Sequence, residues 1–237
     1  MLKSITIALL ISILFTTPQF AQQYTENNSQ NNAGISQDIQ NYTTRANQYN
    51  QQNTNGTPYH NDQFENGSLI NGNIIVASNV YLRYNAVHDE FQIKQTPNVS
   101  DDRIQAVRKS PEVFVKLGNE LFTYVVPGNG VGGYYSVLVE GKKINLYKKF
   151  AKKFVEGRKS VNMMTGDVPN RLVNESSYFI VTSKGEFTKL PKRKNRKFQV
   201  IGGDKSNDLR KYANAKNLNI NREEDLIKLV EYYNNSF

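Results

Sequence analysis

The chain of 237 residues has no cysteine and only two histidines. The first absence excludes disulfides, thiolate nucleophiles and thiolate metal sites together, so stability has to come from an ordinary apolar core. The second leaves zinc chemistry short of ligands, because a catalytic zinc takes three side-chain donors. No Gly-x-Ser-x-Gly elbow is present, which removes the usual setting of a serine-hydrolase nucleophile. Long apolar runs are lacking too. The run from Ile5 to Phe15 is shorter than the roughly 20 residues a membrane-spanning helix needs. No internal repeat of fixed period appears, and no cofactor is expected.

What is there begins with a leader pattern. Met1-Leu2-Lys3-Ser4, the apolar run and Thr16-Thr17-Pro18-Gln19-Phe20-Ala21 match a secretory signal peptide over residues 1–21. The expectation is export to the periplasm, to an outer-membrane-associated position or to the medium. No cysteine follows the run, so no lipoprotein anchor is expected, and no transmembrane helix is expected after cleavage. Residues 22–58 are dominated by Asn and Gln and hold few aliphatic residues. Such a segment cannot bury enough apolar surface to offset its ordering entropy and reads as a disordered spacer.

From Tyr59 the texture changes to short strand-like runs. Ser68-Leu69-Ile70 runs into Asn71-Gly72, read as a hairpin turn with two positive-φ positions. Phe91 and Ile93 share a face by alternation. Val113 to Leu117 and Leu121 to Val126 bracket Gly118-Asn119-Glu120, and Tyr134 to Val139 follows a glycine-rich link. Residues 143–156 fit alternation and a helix stripe alike, the preceding turn favouring a strand as far as Tyr147. Tyr178 to Val181 and Glu186 to Leu190 form a hairpin around Ser183-Lys184-Gly185. At the C-terminus Leu209, Tyr212 and Ala213, then Leu226, Val230 and Tyr233, have helical spacing, with Asn221 and Glu224 placed as a capping box. The fold class is therefore α+β: an antiparallel β-rich body, meander or open barrel-like sheet, over 59–200, closed by a two-helix cap over 201–237.

Pro58-Tyr59-His60-Asn61-Asp62-Gln63-Phe64, Tyr81-Leu82-Arg83-Tyr84-Asn85-Ala86, Asp89-Glu90-Phe91 and the ending Glu223 to Asn234 resemble a family of small exported proteins of Bacteroidota-type bacteria. The likeness spans residues 58–150 and 175–234. It implies export, an envelope setting and a β-rich body, and it implies no catalytic activity. The long Asn/Gln spacer departs from compact members of that family.

The net charge of +9 favours anionic surroundings. Its densest source is Lys189, Lys192, Arg193, Lys194, Arg196 and Lys197, read as a solvated loop able to contact anionic lipid headgroups or acidic polysaccharide; another envelope protein is a further partner class. Nucleic acid is not expected, because export removes it and the last helix carries the wrong sign for a phosphate backbone. His60 stands at the spacer edge and His88 in a turn. The glycine cluster Pro127 to Gly133 precedes a strand, where a phosphate loop would open a helix. Asp204, Ser206 and Asp208 have calcium-loop spacing, but Leu209 occupies the obligatory glycine position. A terminal Phe237 does not make a barrel strand, since residues 222–234 have helical spacing. The expected function is a non-enzymatic exported binding or structural protein. The alternative is a metal-independent hydrolase of envelope polymers that holds two carboxylates, such as Glu90 and Glu120, across a cleft.

Overall fold

The computed structural model describes residues 39–47, 54–128, 130–160 and 166–237. The leader at 1–21 and the first part of the spacer lie outside the described residues. Among them, twelve strands form one sheet: β1 (Thr43–Arg45), β2 (Thr54–Asn55), β3 (Glu65–Asn71), β4 (Ile74–Asn85), β5 (Glu90–Lys94), β6 (Gln105–Val107), β7 (Val113–Leu117), β8 (Glu120–Val125), β9 (Gly133–Val139), β10 (Ile144–Val155), β11 (Asn170–Thr182) and β12 (Phe187–Lys189). Eleven follow the order β1-β6-β5-β4-β3-β7-β8-β9-β10-β11-β12, each pair antiparallel, and β2 lies parallel on β11. The expected antiparallel β-rich body with a helical C-terminus is what the chain builds.

Two hairpins share one turn design. Asn71 pairs with Ile74 and Leu117 with Glu120, so each loop is a Gly-Asn pair, with φ of +57° at Gly72 and at Gly118. A positive φ at the first central position alone is the type II′ arrangement, with glycine where it is needed. The turn after β3 is thus centred one residue later than Asn71-Gly72, with one positive φ in place of two. In β4, Ala77 and Val80 both point inward because a bulge opposite Gly67 to Leu69, with Asn79 at φ +54°, resets the alternation.

The sheet curls. β6 and β9 lie six strands apart in the ladder, a span of roughly 29 Å if flat. Yet the Tyr134 hydroxyl donates to the Val107 carbonyl at 3.5 Å. The curl encloses a first core of Leu69, Val80, Leu82, Tyr84, Phe91, Ile93, Val107, Val115, Leu117, Phe122 and Tyr134. Its aromatic rings meet edge-on or tilted, Phe91 to Phe122 at 4.9 Å and Phe91 to Tyr134 at 5.0 Å.

β10 is a strand along its whole length, paired with β11 from Ile144↔Thr182 to Val155↔Arg171. Its inner end, with Val139, Ile180 and Leu190, is backed by α1 (Lys194–Gly202), α2 (Ser206–Ala215) and α3 (Glu223–Ser236). Three helices stand where two were expected, and the helical region begins at Lys194 instead of 201. The reason is that Phe198 and Ile201, both 2% exposed, give α1 an apolar side in a segment whose lysines read as loop. Asn221 and Glu224 do not form the capping box. The residue flanking α3 is Arg222, and it is Asp225 that reaches back, accepting from the Asn219 amide at 2.9 Å.

The spacer reading also needs correction at its end. Ile39 is buried, β1 pairs with β6, and β2 pairs with β11. These two- and three-residue strands gain order from the ladder edges they join, not from their own hydrophobicity.

Candidate functional site

The basic segment predicted from the sequence straddles the junction between β12 and α1. Lys189 ends β12, while Lys192, Arg193, Lys194 and Arg196 are exposed around the first turn of the helix. None of these five forms an ion pair among the described residues. Lys197 does not belong with them. It is 7% exposed, and its ammonium donates to the Ile220 carbonyl at 3.2 Å and to Asn221 Oδ1 at 2.9 Å. Burial lowers its pKa, and its role is to tie α1 to the turn before α3.

The charge around α1 runs against the usual pattern. Helix N-termini carry partial positive charge, which acidic side chains stabilise and basic ones oppose. Asp208 sits in the first turn of α2, and Glu223, Glu224 and Asp225 in that of α3, but α1 has no acid there; none of the three has a side-chain cap. Folding alone does not favour five cations at that position.

A second arrangement was not legible in the sequence. A cleft of about 180 Å³ is lined by His60, Ala86, Lys148, Phe150, Ala151, Lys152, Asn174, Glu175 and Ser176. Alternation along β10 puts Lys148, Phe150 and Lys152 on one face, and the register sets Ser176 opposite Phe150 and Asn174 opposite Lys152. The loop before β3 covers part of this face. The His60 amide donates to the Tyr84 carbonyl at 2.9 Å, and its ring lies 3.8 Å from that of Phe150. His60 Nε2 is 3.1 Å from Glu120 Oε2.

The two lysines differ in electrostatics. Lys148 sits 2.6 Å from Glu223 Oε2, which also accepts from the Tyr178 hydroxyl at 2.8 Å. Desolvation, then Glu223 itself, pushes the Tyr178 phenol well above its ordinary range. Lys152 instead donates to a neutral group, Asn174 Oδ1, at 2.6 Å, and forms no ion pair among the described residues. Desolvation lowers its pKa against the opposing pull of Asp62. The cleft therefore offers one cation without a carboxylate partner, an aromatic floor, an amide and a hydroxyl. Glu175 also lines it, so the cleft carries charge of both signs.

Glu90 and Glu120 are held by different partners. Glu90 is 3% exposed and takes both the main-chain and side-chain N–H of Asn47, at 3.0 and 2.6 Å. Glu120 faces His60. His88 sits in the turn between β4 and β5 beside Asn85. The glycine-rich link joins β8 to β9, as a hairpin connection. No group of His, Asp and Glu able to hold a metal occurs among the described residues, and no helix there is long and apolar enough to cross a membrane. Compared with protein-family models, curated proteins and solved structures, the chain matches none.

Proposed function

We propose that the chain is a non-enzymatic, exported binding protein of the cell envelope. In this reading it docks on anionic surfaces, lipid headgroups or acidic polysaccharide, through Lys189, Lys192, Arg193, Lys194 and Arg196. The observation that carries it is the gathering of five exposed cations, none ion-paired among the described residues, at the junction of β12 with a helix that lacks the acidic first turn of α2 and α3. A negatively charged surface supplies the counter-charge the helix end lacks. The leader pattern and the resemblance to exported proteins support the location.

The test is co-sedimentation with phosphatidylglycerol vesicles in one arm and retention on immobilised polygalacturonate in the other, across a salt series. Each basic side chain near an anionic surface contributes about 1 kcal/mol. The variant carrying Lys192→Glu, Arg193→Glu, Lys194→Glu and Arg196→Glu, with unchanged helical circular dichroism, should lose at least about tenfold in affinity. Binding by the wild type should weaken as salt rises. Equal retention of wild type and variant in both arms removes the surface, and Met1 to Ala21 still attached on soluble cytosolic protein removes the export.

A further inference from the structure

β11 is used differently on its two sides. Towards β10 it is paired from Arg171 to Thr182. Towards the outside it meets β2 only at Asn170 and Arg171, and β12 only from Phe179 to Val181. Between them no strand among the described residues pairs with Val173 to Ser177. Asn174, Glu175 and Ser176 are exposed there, on a strand otherwise mostly half-buried. The result is a notch in the ladder, about 17 Å long, closed at both ends by short strands.

The direction of the main-chain groups in the notch follows from the contacts at its two ends. The Tyr178 carbonyl accepts from Leu190 N at 2.7 Å, and Thr182 N donates to the Glu186 carbonyl at 3.0 Å, both on the β12 side. At the other end the Leu172 carbonyl faces Gly56, next to β2. Successive residues of a strand turn their N–H and C=O to opposite sides. Asn174 and Ser176 therefore present donors and acceptors outward, while Val173, Glu175 and Ser177 serve β10. The side chains of Asn174 and Ser176 lie on the face of Phe150 and Lys152, so the open edge and the cleft adjoin.

We propose that this notch and cleft together bind an extended peptide segment of another protein as an added strand, with an acidic side chain of the peptide directed to Lys152. Main-chain bonds to an open edge supply affinity in this mode, and pockets for alternate side chains supply specificity. The charge complement is Lys152, which donates to an amide and forms no ion pair among the described residues, Asp62 acting on it from beyond ion-pair distance. A second copy of this chain is a poor occupant. Its β11 is recessed between its own β2 and β12, and two recesses do not interlock. A free or protruding strand of about five residues fits the length. This site shares no residue with the basic surface around α1.

The experiment is hydrogen exchange and amide chemical-shift mapping on the isotope-labelled full chain, with the acetylated, amidated peptide Thr-Glu-Thr-Val-Thr as probe. Without peptide, the Asn174 and Ser176 amides should exchange fast and those of Val173, Glu175 and Ser177 slowly. With about 1 mM peptide, the first two should shift and slow by at least about tenfold in exchange. Lysine in place of the peptide's glutamate should weaken binding at least about fivefold, and Lys152→Gln should erase that preference. Ser176→Pro, which removes an outward N–H that takes no part in the native ladder, should abolish binding. Should that variant not fold, a peptide N-methylated at its central residue tests the same bond against unaltered protein and should not bind. Unchanged Asn174 and Ser176 amides, or equal binding of the N-methylated peptide, overturn the proposal. The charge-reversed α1 variant should bind the peptide as wild type does, so failure of one reading leaves the other standing.

Discussion

Tyr84, Phe91, Phe122 and Tyr134 meet because the sheet curls until distant strands touch, whereas Ile144, Leu146 and Ile180 are buried because helices are laid over them. The first core uses aromatic rings to fill the wide interior of a curled sheet. It tolerates no side chain where strands cross closely: a Cβ on Gly67 would meet the Lys116 carbonyl and Leu82. The second core is mostly aliphatic, with Leu209, Leu226, Leu229 and Val230 interleaved onto β-strand residues. β10 runs through both. Its inner end belongs to the helices, Phe150 packs on the first core, and Lys148 before it and Lys152 beyond it face the cleft. Polar chemistry is thus concentrated where one mode of burial gives way to the other.

The sharpest way to break this comparison is to hollow out each core in turn. Phe122→Ala should cost about 3–5 kcal/mol and Leu229→Ala about 2–5 kcal/mol. Both should move a single denaturant transition followed by fluorescence and circular dichroism together. Two separated transitions in either variant would show the cores to be independent units.

A smaller effect tests how α3 is tied to the start of β10 within the second core. Asn234, near the end of α3, accepts from the amides of Lys143 and Ile144, each at 3.1 Å, and donates to the Ile144 carbonyl at 2.9 Å. Asn234→Ala leaves those groups unpaired and should cost about 2 kcal/mol, read as a lower denaturant midpoint. No loss would mean that α3 is held by its apolar face alone.

The smallest effect is on pH dependence and sharpens the contrast, since the curl encloses two fully buried tyrosines while those packed on the helical core, Tyr178 among them, are only partly buried. Burial, and then Asp89, raises the pKa of Tyr84 and Tyr134 above the ordinary 10.0. The folded state therefore keeps protons that the unfolded state releases. Their contribution is complete below pH 10 and is lost as pH climbs towards the raised values, about 1.5 kcal/mol by about pH 10.5 for the two together. Lys149, whose pKa burial lowers despite Asp89, acts in the opposite sense below 10.5. Phenolate absorbance separates the two: Tyr84, Tyr134 and Tyr178, whose phenol is also raised, should ionise only with unfolding. Smooth titration of all tyrosines in the native state would contradict this.

Much of this was readable in advance. Hairpins marked by Gly72, Gly118 and Gly185 stand where glycine and asparagine interrupt apolar runs, and Leu209, Ala213, Leu226 and Val230 lie on the buried faces of their helices. β10 was ambiguous because Ile144, Leu146, Phe150 and Phe154 satisfy period two while Tyr147, Phe150, Ala151 and Phe154 satisfy a helix. Only the pairing with β11 decides between them. α1 was hidden by its lysines, one of which is internal. The cleft left no local mark, since His60, Ala86, Lys148, Phe150 to Lys152 and Asn174 to Ser176 converge through register and curl. The nearest signal was the alternation Lys148, Phe150, Lys152, a charged–aromatic–charged face that a fully buried strand would not carry.

β3 sits in the interior of the ladder although it precedes most of its neighbours in the chain. Its hairpin partner β4 follows at once, but its other flank waits for β7, after β5 and β6 have been made. In a chain that emerges N-terminus first, Leu69 and Ile70 therefore ride on an unsaturated ribbon until Val113 to Leu117 follows. An unpaired edge of that kind is where incomplete chains clump, and it stays open for as long as residues 86–112 take to follow.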